Sequence, residues 1–130
     1  MHLAKEDIPV KIDAPGAVAR QLTDFGEASG TLGAEYFSLA TGADLAPLLQ
    51  GLEHNSCHSP HWGYLISGVV VVSYDDGSTE RLVGGEVFFW PAGHSVLVEE
   101  GAEIVLFSPQ VEHGAVMDHI LAKVTAAAGA

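Results

Sequence analysis

Short runs of alternating apolar and polar residues, rich in valine, phenylalanine and tyrosine, fill most of this chain between glycines and prolines. Alternation with period two places one face of a strand against a core and the other toward water. It predicts strands over residues 18–22, 35–39, 62–66, 69–74, 79–83, 87–90, 96–99 and 103–107. The clearest turn is Asp75-Asp76-Gly77-Ser78, where Gly77 supplies a residue at positive φ and closes a hairpin. Gly84-Gly85, Pro91-Ala92-Gly93 and Glu100-Gly101 mark further turns. Regular short strands of this kind predict an all-β fold, an antiparallel sandwich or barrel. Two regions depart from the pattern. Residues 43–52 read as a turn of helix or a packed loop, interrupted by Pro47. After Ser108-Pro109 the period changes: Val116, Ile120 and Val124 recur every four residues, with Leu121 beside them, which predicts an amphipathic C-terminal helix over 112–127.

Composition narrows the picture. The 130 residues suit one domain, with N-terminal strands in 1–50, a barrel core in 51–109 and the helix in 110–127. A hydrophobic fraction of 48% against 17% charged residues excludes a disordered chain. Seventeen acids and five bases give a formal charge of -12, which argues against nucleic-acid binding and against an anionic membrane surface, since both would repel it. Cys57 is the single cysteine, so no internal disulfide forms, as expected of a cytoplasmic protein. No apolar run approaches the roughly 20 residues of a membrane span. The start of the chain turns acidic too soon for a secretory signal.

The chemistry concentrates around the predicted hairpin. Cys57-His58-Ser59-Pro60-His61-Trp62-Gly63-Tyr64-Leu65-Ile66-Ser67-Gly68 precedes it, and Gly85-Glu86-Val87-Phe88-Phe89-Trp90-Pro91-Ala92-Gly93-His94 follows it. Here the chain resembles the cupin superfamily, over roughly residues 57–109. Tyr64–Gly68 is similar to the end of the first cupin motif, and Gly85, Pro91 and Gly93 match the frame of the second. The resemblance implies a jelly-roll β-barrel and, by the habits of the superfamily, a homodimer. The metal-ligand letters depart from the usual set. His61 stands where the first motif has its glutamate, and Asn55 and Cys57, or His54 and Ser56, stand at its paired histidines. Val96 occupies the histidine position of the second motif, with His94 two residues earlier, and Glu100 its asparagine position. The chain is also similar to a bacterial subgroup of small cupins with Cys, Pro-His-Trp-Gly-Tyr, Pro-x-Gly-His and a late Glu before Phe-Ser-Pro, met here by Cys57, Pro60–Tyr64, Pro91–His94, Glu103 and Phe107–Pro109.

Strand parity turns these residues into a candidate site. Side chains alternate faces, so His94 shares a face with Val96 and points into the barrel. Cys57, Ser59 and His61 share a face and His58 turns away, unless a bulge at Pro60 brings it inward. Imidazole and thiolate are good zinc ligands, and imidazole also suits iron and nickel. Two histidines with Cys57, His58 or Glu103 would make a three-ligand site with an open position for a small molecule. Glu103 opens an apolar strand. Facing inward it would be a buried carboxylate and a candidate general base; facing outward, an ordinary surface acid. Trp62, Tyr64 and Trp90 are candidate pocket residues, although such aromatics also serve as core or interface. Phe88-Phe89-Trp90 is apolar on both faces, which predicts a dimer interface or a covering strand. His54 is expected in solvent, and His113 and His119 at the surface or in a dimer contact. Two functions follow: a metal-dependent protein binding or acting on a small molecule, or a metal-free small-ligand module. Acid–base catalysis by His94 and Glu103 is a third.

Overall fold

A computed structural model describes residues 1–129; Ala130, the last residue of the expected domain, lies outside the described residues. The chain runs β1 (Val10–Ala14), β2 (Ala17–Leu22), β3 (Glu27–Ala28), β4 (Gly30–Leu39), α1 (Ala46–Leu49), β5 (His61–Tyr74), β6 (Thr79–Val83), β7 (Glu86–Trp90), β8 (His94–Pro109) and α2 (Gln110–Ala128). Every strand pairing is antiparallel. The strand order is β1-β2-β4-β8-β5-β6, with β3 on β4 and β7 on β5. This is the expected all-β architecture with a C-terminal helix.

The expected strands at 62–66 and 69–74 are one continuous strand, as are those at 96–99 and 103–107. Each long strand bends instead of breaking. Their mutual pairing slips between Leu65 and Ser67, between Ser67 and Val69, and between Val69 and Val70. Such bulges add twist and let one strand turn a barrel corner. Gly68 sits at the bend with φ 91°, and a Cβ there would fall 2.2 Å from the Gly101 carbonyl oxygen. Only glycine fits.

Alternation places Leu65, Val70 and Val72 of β5 against Val96, Val98, Ile104 and Leu106 of β8 in one buried cluster. A second cluster forms where α2 lays Val116, Met117 and Ile120 over Ile12, Ala19, Leu49 and Cys57. Each such side chain contributes about 1.5–3 kcal/mol on burial, so α2 is held by packing over the open end of the sheet. Pro47 lies in the first turn of α1, where its missing N–H costs no hydrogen bond. Among the described residues, no helix is long and apolar enough to cross a membrane.

Candidate metal centre

Three elements bring the chemistry together at the junction of the two clusters. The loop before β5 joins the start of β8 through backbone bonds: the Cys57 N–H donates to the His94 carbonyl (2.8 Å) and the Gly93 N–H to the Cys57 carbonyl (2.7 Å). This fixes Cys57 beside His94. His61, the first residue of β5, is paired with Trp90 of β7. His113 enters from the first turns of α2. Cys57, His61, His94 and His113 are all buried, and together they line a small chamber of about 40 Å³. One ligand atom each from Cys57, His61 and His94 lie within 4.8 Å of one another, and the same holds for Glu35, His61 and His113.

The hydrogen bonds orient each ring. Ser108 Oγ donates to Glu35 Oε1 (2.7 Å), so it accepts from the His61 Nδ1–H (2.6 Å). The His94 Nδ1–H donates to the Pro91 carbonyl (2.8 Å). The His113 Nδ1–H donates to Glu35 Oε2, which also accepts from Gln21 Nε2 at 3.3 Å. His61 and His94 are thereby held with Nδ1 as donor, which in the neutral ring leaves Nε2 with its lone pair. His61 Nε2 lies 3.4 Å from Cys57 Sγ. A fixed tautomer with one nitrogen tied to an acceptor is how metal-ligating histidines are set.

Electrostatics agree with neutral rings. Burial, together with the neighbouring His113 and His94, holds the His61 imidazolium well below its usual range. Burial also lowers His94, partly offset by its bond to the Pro91 carbonyl. Neutral imidazole is the form that binds a metal. The Cys57 thiol is pushed up to about 12 by burial, so without a cation it is a protonated thiol and no nucleophile. The donor set of two imidazoles and a thiol fits zinc, and its imidazoles fit iron or nickel.

The other expected residues fall elsewhere. His58 is half-buried and lines neither the ligand cluster nor the chamber. Glu103 lies on the outer face of β8, between the buried Ala102 and Ile104, and accepts a hydrogen bond from Ser38 Oγ at 2.6 Å. It cannot act as base in the chamber, because β8 itself stands between. Trp90 lines the chamber, with its ring 6.2 Å from that of His61 and its Nε1 unpartnered. Trp62 and Tyr64 do not line it: one residue out of phase with His61 and Leu65, they face outward at 46% and 40% exposure. Phe89 joins them there, stacked on Trp62 at 5.2 Å between ring centroids. His54 is exposed and holds φ 56° in a tight turn.

Three contributors escaped the sequence reading. His113 was expected at the surface, yet it is buried. It stands three residues before Val116, on the same stripe that packs Val116 and Ile120, so helical phase was the available signal. Glu35 shares strand parity with Phe37 and Leu39, which points it inward. Ser108 pairs with Gly33, two residues from Glu35, and only the three-dimensional register reveals that neighbourhood.

No protein-family model matches the chain, and no curated protein matches it. Solved structures do. A cupin described as RmlC-like from Shewanella frigidimarina is 22% identical with a TM-score of 0.57, covering 82% of this chain and 88% of that one. The polyketide cyclase RemF from Streptomyces resistomycificus is 17% identical with a TM-score of 0.57, covering 85% of this chain and 79% of that one. An oxalate decarboxylase from Lactobacillus farciminis, in a formate complex, is 22% identical with a TM-score of 0.60, covering 82% of this chain but 32% of the decarboxylase. The chain thus shares its antiparallel β fold with these solved structures, the first of them a cupin.

Proposed function

We propose that this cupin-fold chain binds a divalent metal through Cys57, His61 and His94, with His113 adjoining, and binds or acts on a small molecule there. The observation that carries this reading is the meeting of Cys57, His61 and His94, one ligand atom of each lying within 4.8 Å of the others. His61 and His94 have Nδ1–H tied to Ser108 and the Pro91 carbonyl, which leaves Nε2 of each neutral ring free to bind. When bound, the metal would supply Lewis acidity, or redox chemistry if it is iron. The chain's residues would hold it, orient it and keep bulk water out. Glu35 fixes His113 directly and His61 through Ser108, and Trp90 walls the chamber.

The test is metal content by elemental mass spectrometry on untagged protein purified without added metal or chelator, beside His61→Ala and His94→Ala. Near-stoichiometric zinc, iron or nickel that vanishes in both variants is expected. A wild-type protein that is empty and ignores all three added metals would overturn the reading. The metal-free small-ligand module is the second reading. It is favoured by the unpartnered Trp90 Nε1, a donor that a ligand oxygen could satisfy.

A homodimer is part of the proposal. Trp62, Tyr64, Val87 and Phe89 form an exposed apolar face on β5 and β7, the kind of surface that association covers.

A further inference from the structure

A second cavity adjoins the chamber. It is a cleft of about 530 Å³ between α2 and the β1–β2–β4 end of the sheet, a size that suits a drug-sized organic molecule. The cleft and chamber share Phe37, Leu39, Leu45, Met117 and Ile120, so these side chains are the partition between them. Its walls are apolar, and aliphatic but for Phe37. Among the described residues the only charged groups lining it are Asp13 and Asp44, both exposed, and no lysine or arginine lines either cavity.

We propose that this cleft is the substrate or ligand site, and that its occupant is an uncharged, lipophilic small molecule whose end reaches the chamber past Phe37 and Met117. The claim that this end meets a metal rests on the reading given under Proposed function. The binding claim does not. Apolar walls favour apolar surface and offer an anion no counter-charge, while two carboxylates at the rim and a net charge of -12 repel it. A small dicarboxylate would leave its charge unpaired here, which is costly in an apolar site. The cleft therefore selects against the substrate class named for the structurally similar oxalate decarboxylase.

The test uses two probes with one aromatic skeleton: neutral N-phenyl-1-naphthylamine and its anionic relative 1-anilinonaphthalene-8-sulfonate. Fluorescence titration of the wild type is expected to show the neutral probe binding at least ten-fold more tightly. Ala43→Trp and Val124→Trp fill the cleft from opposite walls, and each is expected to weaken neutral-probe binding at least ten-fold with the circular dichroism spectrum unchanged. Phe89→Glu changes the outer face, and with it the proposed dimer, while leaving the cleft lining intact, and serves as the comparison. Equal affinity for both probes, no binding to the wild type, undiminished binding in both filled variants, or loss in Phe89→Glu instead would each overturn the proposal. Cobalt-loaded protein is expected to quench the bound neutral probe where zinc-loaded protein does not; equal fluorescence from the two would overturn the reach into the chamber. A wild type that takes up no added zinc, iron or nickel yet still binds the neutral probe would sink the metal reading and leave the cleft site standing.

Discussion

One proposed ligand ring, His61, and its neighbour His113 depend on one carboxylate, so weakening that anchor is the sharpest perturbation of the site's logic. Glu35 is fully buried and accepts from Ser108, Gln21 and His113. Glu35→Gln keeps the volume but replaces one acceptor oxygen with an amide donor. At least one of the three N–H or O–H partners then loses its acceptor, at about 1–3 kcal/mol for a buried group, more if charge is left unpaired. Outer partners of metal ligands are typically worth 10–100-fold in affinity. That range corresponds to about 1.4–2.8 kcal/mol. Because Glu35 holds His113 directly and His61 through Ser108, the upper half of that range is expected. Ser108→Ala cuts only the branch to His61, so about ten-fold is expected, with a smaller stability loss. The assay is competition for zinc against a chromophoric chelator, with thermal unfolding of the metal-free proteins alongside. Zinc affinity within two-fold of wild type in both folded variants would refute the claim that these hydrogen bonds prepare the rings for a metal.

Other consequences reach the pH dependence, the backbone, the thiol and the outer face. His61 and His94 have folded pKa values below the ordinary 6.5, because burial disfavours the imidazolium. The unfolded chain thus takes up more protons below that value, and the metal-free protein loses stability as pH falls below about 6.5, by up to ~1.4 kcal/mol per pH unit for each histidine; urea titrations with a flat profile from pH 7 to 5 would contradict this. Gly68→Ala meets backbone at 2.2 Å and should cost about 2–5 kcal/mol, whereas Gly77→Ala, with nothing within 4 Å, should cost only about 1–2 kcal/mol for its positive φ; equal melting temperatures would contradict the assigned bend. Native Cys57, buried and with a thiol near 12, should resist iodoacetamide at pH 8 and react once unfolded, as mass spectrometry would read. Phe89→Glu places a charge on the exposed apolar face, and sedimentation velocity should show a dimer in the wild type and a monomer in the variant.

Local patterns revealed most of the fold and about half of the chamber. Alternation located the strands of β5 to β8 and the hairpin at Gly77, and the four-residue recurrence located α2. Alternation could not say that 62–66 and 69–74 are one strand, because Gly68 reads as a breaker in sequence and acts as a bulge in space. Parity put His61 and Cys57 on one face and turned His94 inward, and all three are buried together. It also contained the correction for Trp62 and Tyr64, which sit out of phase with His61. Glu103 was open in sequence because the bulges around Ser67 and Gly68 intervene between the registers that decide its face. His113, Glu35 and Ser108 come from α2, β4 and the end of β8. Their meeting is a product of tertiary packing, which no spacing within one segment encodes.

The central claim is tested most directly by the absorption spectrum of the cobalt-substituted protein. Ligation by Cys57 and the histidines predicts an intense thiolate-to-cobalt charge-transfer band together with the strong visible bands of a low-coordinate site. In Cys57→Ser the charge-transfer band should vanish, and in His61→Ala or His94→Ala the visible bands should collapse. A wild-type spectrum indistinguishable from that of cobalt in buffer would contradict the account.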